Sequence, residues 1–463
     1  MKNTMNKKLI ILLGTITSLF LIIAVYLIYF ELFKSAWLNN HNLNRRNYVD
    51  ETKYKRGSIL DRNGKILAES VLEENKYKRV NTYNYMYSSI IGYNSIKYGR
   101  SGIEASLNSE LLNTSKSKNI FDKIEDSVIN KDEGNDVYLT IDDRIQSYAY
   151  DALGNRKGVV IVTNPKNGEI LAMVSKPGFN VNKLEENWEE YINSKQGIML
   201  NRATQGLYEP GSIFKIITSM AFLDKGIDLE YNDTGQATIG GYTVKNYMNG
   251  KHGKMDLRKA LMVSSNTYFF EKSQEITNTE FIKTLDKFGM TKDYNFELPK
   301  KKPIFPFKEG LSALEKANAA FGQGKTYVNP LTMSLSINAI ANEGIVYKPQ
   351  IIKSIKRSNS ERNIDNQILT DDINKNNANL IKEYLHSTDL DYGIGKRFGI
   401  SLAGKTGTAE NSTKYDHRWY MGMTPVENPK YTVVVLVEGT DESTVRASAH
   451  TGAKILKYCL SLD

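Results

Sequence analysis

The chain has 463 residues, room for two or three domains of ordinary size, so a full catalytic core fits and wholesale disorder is excluded by an ordinary apolar content. Basic residues exceed acidic ones, 61 to 52, and the resulting net charge of +9 is spread along the chain. That spread argues against nucleic acid as a partner and leaves only a weak attraction to anionic surfaces. Cys459 is the only cysteine, which excludes an internal disulfide and a cysteine-rich metal site. No cofactor is expected.

From Leu9 to Phe30 the sequence LIILLGTITSLFLIIAVYLIYF carries no charge for 22 residues, and about 20 suffice to cross a hydrocarbon core as a helix. The stretch is too long for a signal peptide and no small-x-small cleavage pattern follows, so an uncleaved membrane anchor over residues 9–33 is expected. Residues 1–8 form the flank before it. Flanking charge does not orient the helix, because Lys2, Lys7 and Lys8 are opposed by Lys34, Arg45 and Arg46. A catalytic domain outside the cell, with a cytoplasmic N-terminus, follows only from the chemistry below.

Next comes KRGSILDRNGKILAES, where Asp61-Arg62-Asn63-Gly64 is a turn signal between two short apolar runs and predicts a hairpin. Near residues 105–135 the composition turns to Asn, Lys, Ser, Asp and Glu, marking the expected end of a small membrane-proximal domain, 34–135. The remainder, 136–463, reads as the main domain. GVVIVTN from Gly158 and EILAMVS from Glu169 predict a second, buried hairpin, and YTVVVLVEG from Tyr431 another strand. Residues 255–275 and 310–342 have helical spacing, residues 355–378 read as a polar, exposed connection, and Gly452–Leu460 as a closing helix that buries Cys459. Strands at both ends with helices between predict an α+β fold, an antiparallel sheet covered by helices.

Three short motifs carry the chemistry. In YEPGSIFKIITSM, Ser212 follows Pro210-Gly211 and opens a helical run, with Lys215 one turn on and on the same face. A hydroxyl there gains from the free N–H groups of a helix start, and a neutral lysine at that spacing is a base for its proton. The same spacing at Ser115 and Lys118 lies in polar surroundings and carries nothing. In VSSNTYFF, Ser264-Ser265-Asn266 interrupts an apolar helical stretch; the triplet is either a cap and a satisfied buried amide, or a proton relay through Ser264 with an amide clamp at Asn266. In SLAGKTGTAE, Lys405-Thr406-Gly407-Thr408 is either an ordinary turn or a strand edge where Lys405, Thr406 and Thr408 offer a cation and two hydroxyls to a carboxylate and Gly407 admits a close backbone.

S-x-x-K, S-x-N and K-T-G in that order form a known constellation with a mechanical role for each part. With it, RGSILDRNGKILAES, YGRSGIE, LTIDDRIQ, NPKNGEILAMVSKPGFN, NRATQGLYEPGSIFK, FGQGKTYVNPLTM and AIANEGIVYKP make most of the chain resemble the class B penicillin-binding proteins, monofunctional peptidoglycan D,D-transpeptidases. The resemblance implies a penicillin-binding/serine β-lactamase-like transpeptidase domain on a membrane-proximal pedestal. It implies that Ser212 attacks the D-alanyl-D-alanine end of a stem peptide, that β-lactams acylate the same serine, and that Ser212 and Thr408 N–H groups form the oxyanion hole. It also implies a polytopic membrane glycosyltransferase as partner, met through the anchor and the segment from Arg45 to RGSILDRNG. No module is expected beyond Asp463, and the stretch before Lys405 lacks the Gly-Thr-Ala element often found there. The competing readings are a β-lactamase, sensor or carboxypeptidase of the same superfamily, separated by the fate of the acyl group, and an inactive scaffold, which intact motifs disfavour.

Overall fold

The computed structural model describes residues 2–34, 52–113, 133–357, 360–409, 416–440 and 447–463. Arg45, Arg46, the Ser115/Lys118 pair and most of the polar stretch at 105–135 lie outside these residues. Helix α1 (Lys2–Phe33) contains a 25-residue apolar span, Lys7–Glu31, that the rest of the protein leaves uncovered. It is long and apolar enough to cross a membrane.

Strands β1 (Ile59–Leu60) and β2 (Ile66–Glu73) form the first expected hairpin, extended by β3 (Lys76–Asn81). Asp61 closes its turn, accepting from Asn63 N and Lys65 N at 2.8 Å each. The short helix α2 (Gly102–Ser106) follows, then β4 (Asp136–Leu139), which runs parallel to β1. Helix α3 (Asp143–Leu153) starts on Asp142, whose side chain accepts from Arg144 N, and Asp61 Oδ2 accepts from Asp143 N at 3.1 Å. One aspartate thus couples the first hairpin to the start of α3.

The central sheet is antiparallel, as the sequence predicts. Strands β5 (Gly158–Thr163) and β6 (Ile170–Lys176) form its far edge. Between them and the last strands come helices α4 (Lys215–Lys225), α5 (Leu257–Met262), α6 (Asn266–Lys272) and α7 (Pro330–Ala341). Residues 255–275 are therefore two helices, broken where polar Ser264 and Ser265 fall.

Residues 355–378 differ from expectation. Strand β7 (Ile352–Arg357) pairs with β4, Ile352 opposite Leu139 and Ile355 opposite Val137, and β8 (Ser360–Asn363) adds to its edge. The first sheet is thus β8-β7-β4-β1-β2-β3. Only the two isoleucines mark this strand in sequence, and its partner lies far upstream, so local pattern does not reveal it. Helix α8 (Lys375–Tyr392) then leads to β9 (Ala403–Ala409), β10 (Asp416–Thr424) and β11 (Tyr431–Thr440), giving the order β9-β10-β11-β5-β6.

The closing helix α9 starts earlier than expected, spanning Ala447–Leu460, and buries Cys459. It packs with α3 on one face of the sheet, against Val433, Val435 and Val437. Val434 and Leu436 point to the opposite face, where α4 and α7 contribute Ile216, Met220, Met333 and Ile337 to the same cluster. Burial on both faces is why β11 reads as an unbroken apolar run.

Candidate active site

Ser212 lies in a 3-10 turn, Gly211–Phe214, that runs directly into α4. In such a turn residues three apart eclipse, so Ser212 and Lys215 share one face, as their spacing predicts. Gly211 has φ +56, and a Cβ on it would stand 2.2 Å from Thr408 O. Only glycine lets β9 press against the serine turn this closely. On the strand, a Cβ on Gly407 would stand 3.0 Å from Ile213 Cγ2. Trp419 Nε1 donates to Glu209 O at 2.9 Å, and Tyr208 Oη to Glu438 Oε1 at 2.6 Å, which pin the segment before the serine to β10 and β11.

The second motif sits in the break between α5 and α6. Ser264 takes the left-handed position that ends α5, with φ +56 and its N–H donating to Leu261 O. Glycine is the usual residue there, and a serine costs about 1 kcal/mol. In return the hydroxyl stands between two amines. Lys215 Nζ donates to Ser264 O at 2.8 Å and Asn266 Oδ1 at 2.8 Å, and lies 3.3 Å from Ser264 Oγ. Lys405 Nζ donates to Ser264 Oγ at 2.9 Å and Thr406 O at 3.1 Å. All three sequence motifs therefore meet at Ser264. Thr406 and Thr408 share the half-buried face of β9, the edge strand of the sheet, and Arg418 Nη1 donates to Thr408 Oγ1 at 2.6 Å.

Both amines are fully buried. Burial drives the Lys215 amine well below 10.5, and the Lys405 charge pushes it further down. Burial alone brings Lys405 down to about 7. Two amines sharing one desolvated site disfavour double protonation, and Lys215, lowered by burial and by the Lys405 charge together, is pushed towards the neutral form. A neutral amine has two N–H donors and one lone pair. Ser264 O and Asn266 Oδ1 take the donors, which leaves the lone pair for a hydroxyl proton. Ser212 Oγ makes no hydrogen bond among the described residues and stands half-buried at the head of the turn. The Lys215 amine is held by the second motif, through Ser264 and Asn266.

Sequence reasoning missed Asn246, Asp233 and Arg418. Asn246 accepts from Asn266 N at 2.8 Å, but its own stretch, KNYMNG, reads as an ordinary polar turn.

A family described as the penicillin binding protein transpeptidase domain matches residues 158–457, and a penicillin binding protein A dimerisation domain matches residues 56–137. The chain belongs to the penicillin-binding protein transpeptidase family. It is 27% identical to the peptidoglycan D,D-transpeptidase PbpA of Mycolicibacterium smegmatis, over 91% of this chain and 91% of that protein. Among solved structures it resembles the D,D-transpeptidase domain of a peptidoglycan glycosyltransferase from Eggerthella lenta, with 30% identity, a TM-score of 0.79, and 89% of this chain and 100% of that one covered. It also resembles penicillin-binding protein A from M. tuberculosis in its ceftriaxone acyl-enzyme complex, at 25% identity, TM-score 0.80, and 89% and 100% coverage. The transpeptidase match contains Ser212, Lys215, Ser264, Asn266, Lys405, Thr406, Gly407 and Thr408.

Proposed function

We propose that this protein is a membrane-anchored peptidoglycan D,D-transpeptidase that cross-links stem peptides through an acyl-enzyme on Ser212 and is blocked by β-lactams at the same oxygen. The observation that carries the reading is the convergence of Lys215, Lys405 and Asn266 on Ser264 beside the serine turn. Lys215 takes the Ser212 proton as Oγ bonds to the penultimate D-alanine carbonyl. The terminal D-alanine amine leaves with a proton relayed through Ser264. An amine from a second stem then displaces Ser212 and closes the cross-link. Lys405, Thr406 and Thr408 hold the substrate carboxylate, Asn266 bonds its amide, and the Ser212 and Thr408 N–H groups receive the oxyanion. As an edge strand, β9 also presents unpaired backbone groups to an extended peptide.

Residues 34–135 serve as the pedestal and 136–463 as the catalytic unit, with β4 and the β7–β8 hairpin completing the pedestal sheet. The N-terminus lies in the cytoplasm and the catalytic unit outside, where its substrate is. Helix α1 and the pedestal meet a polytopic glycosyltransferase; uncovered apolar length along α1 supports this contact. Incubation with fluorescent penicillin should leave a stable label that peptide mapping places on Ser212. Label on another residue, or rapid release as penicilloate, overturns the assignment.

The two buried amines fix the pH dependence. Acylation rises with pH as Lys215 loses its proton, with a midpoint well below 10.5. It falls above about 7 as Lys405 loses the charge that holds the ligand carboxylate. Binding that carboxylate favours the ammonium and raises the Lys405 pKa. The descending limb therefore moves to higher pH when acylation is measured at saturating penicillin. A flat profile from about pH 6 to 9 under both conditions contradicts these roles.

A further inference from the structure

Asn246 follows the strand Tyr242–Lys245 of a two-stranded hairpin that none of the three motifs includes. Its Oδ1 accepts from Asn266 N at 2.8 Å and Thr267 N at 3.2 Å, the first two N–H groups of α6. The same oxygen lies 3.3 Å from both Ser265 Oγ and Thr267 Oγ1. Its Nδ2 donates to Asp233 Oδ2 at 2.7 Å and Gly250 O at 3.0 Å. The Asp233 carboxylate in turn accepts from Gly235 N at 2.7 Å, Ser265 Oγ at 3.2 Å and Thr267 Oγ1 at 3.0 Å. All four side chains are buried: Asp233 2% exposed, Asn246 5%, Ser265 and Thr267 0%.

A helix start leaves its first N–H groups without intrahelical partners. Ser265, the residue before α6, satisfies Tyr268 N at 3.1 Å. The two earlier N–H groups are satisfied from outside by Asn246. The start of α6 is thereby fixed to the hairpin, and with it the peptide that places Ser264 Oγ and Asn266 Oδ1 on Lys215. Ser264 also sits in a strained left-handed conformation, which persists only where both flanks are held. Helix α5 holds one flank and the Asn246–Asp233 pair holds the other.

We propose that Asn246 and Asp233 are positioning residues for acyl transfer, setting the place of the second-motif loop and through it the aim of the Lys215 lone pair. The inference rests on the transpeptidase reading, since it needs Lys215 to act as base. Neither residue touches the substrate carboxylate held by β9. Their loss therefore falls mainly on the chemical step, and binding changes only by the smaller share that the Asn266 amide carries.

The test uses the full chain in detergent, with a fluorescent penicillin followed by stopped flow. It separates the dissociation constant of the first complex from the first-order acylation constant and counts titratable serines per chain. In Asn246→Ala the acylation constant should fall by about 100-fold, the cost of a misplacement near 1 Å. The dissociation constant should stay within about threefold, with the same serine count. The nearly isosteric Asp233→Asn, which replaces an acceptor oxygen by a donor, should lose about tenfold in the same constant, and it decides the matter if Asn246→Ala does not fold. An acylation constant equal to wild type in Asp233→Asn overturns the proposal, even with fewer titratable sites, because a purely structural role changes only the amount of active enzyme. If the wild-type chain itself is not labelled on Ser212, the functional reading fails instead, independently of either variant.

Discussion

Replacing Lys215 by methionine is expected to slow acylation of Ser212 by about a thousandfold and, at pH 7, to raise the melting temperature. The two effects have one cause. Burial holds the Lys215 amine well below its ordinary 10.5, and the nearby Lys405 charge adds to this. A lysine whose pKa the fold pushes down forgoes protonation free energy that the unfolded chain retains. Methionine removes that cost. It leaves Ser264 O and Asn266 Oδ1 without their donor, which returns about 2 kcal/mol of it. The sign reverses with pH. A lowered lysine pKa means that the unfolded state binds the extra proton, so wild-type stability rises from pH 7 towards 10.5 and the advantage of Lys215→Met shrinks over that window. Melting curves at pH 7 and pH 10, paired with stopped-flow acylation, read both terms. A variant that is slower and also less stable at pH 7 would show that Lys215 is an ordinary structural cation.

The three motifs are legible because each is short and chemically marked, and their order along the chain is enough to place them together. Their mutual geometry is less so. The i to i+3 spacing puts Lys215 on the face of Ser212, yet the amine is held by Ser264 and Asn266, which lie on other helices. Local periodicity cannot report a bond between elements 49 residues apart. Asn246 and Asp233 are hidden for the same reason: each is a common turn residue until a helix start is packed against it. The central sheet shows in the sequence because both of its faces are buried, so β5, β6 and β11 are continuous apolar runs. Strand β7 does not, since Ile352 and Ile355 are its only buried apolar residues and its partner β4 is distant in sequence.

Glu104→Gln is expected to destabilise the membrane-proximal lobe by about 3–5 kcal/mol while leaving the Ser212 acylation rate unchanged. Glu104 is 1% exposed and bridges two buried guanidiniums, Arg56 Nε and Arg79 Nε, each at 2.6 Å. Burial alone would raise its pKa, but Arg79 and Arg56 outweigh burial and hold the carboxyl below the usual range. Arg56 also donates to Asn108 and Glu104 O, and Arg79 to Gly57 O, so the triad joins α2 to both ends of the β1–β3 layer. Glutamine keeps the shape and removes the charge, which leaves two cations facing each other in a desolvated site. The loss should spread along hydrogen bonds. Strand β4 is paired with both β1 and β7, so faster amide exchange is expected in β1–β3 and also in β7 and β8, nearly 300 residues from the first strand in sequence. Strands β9 to β11, held by α9 and α7, should keep their protection. Equal loss in both sheets would mean that the two sheets open as one unit.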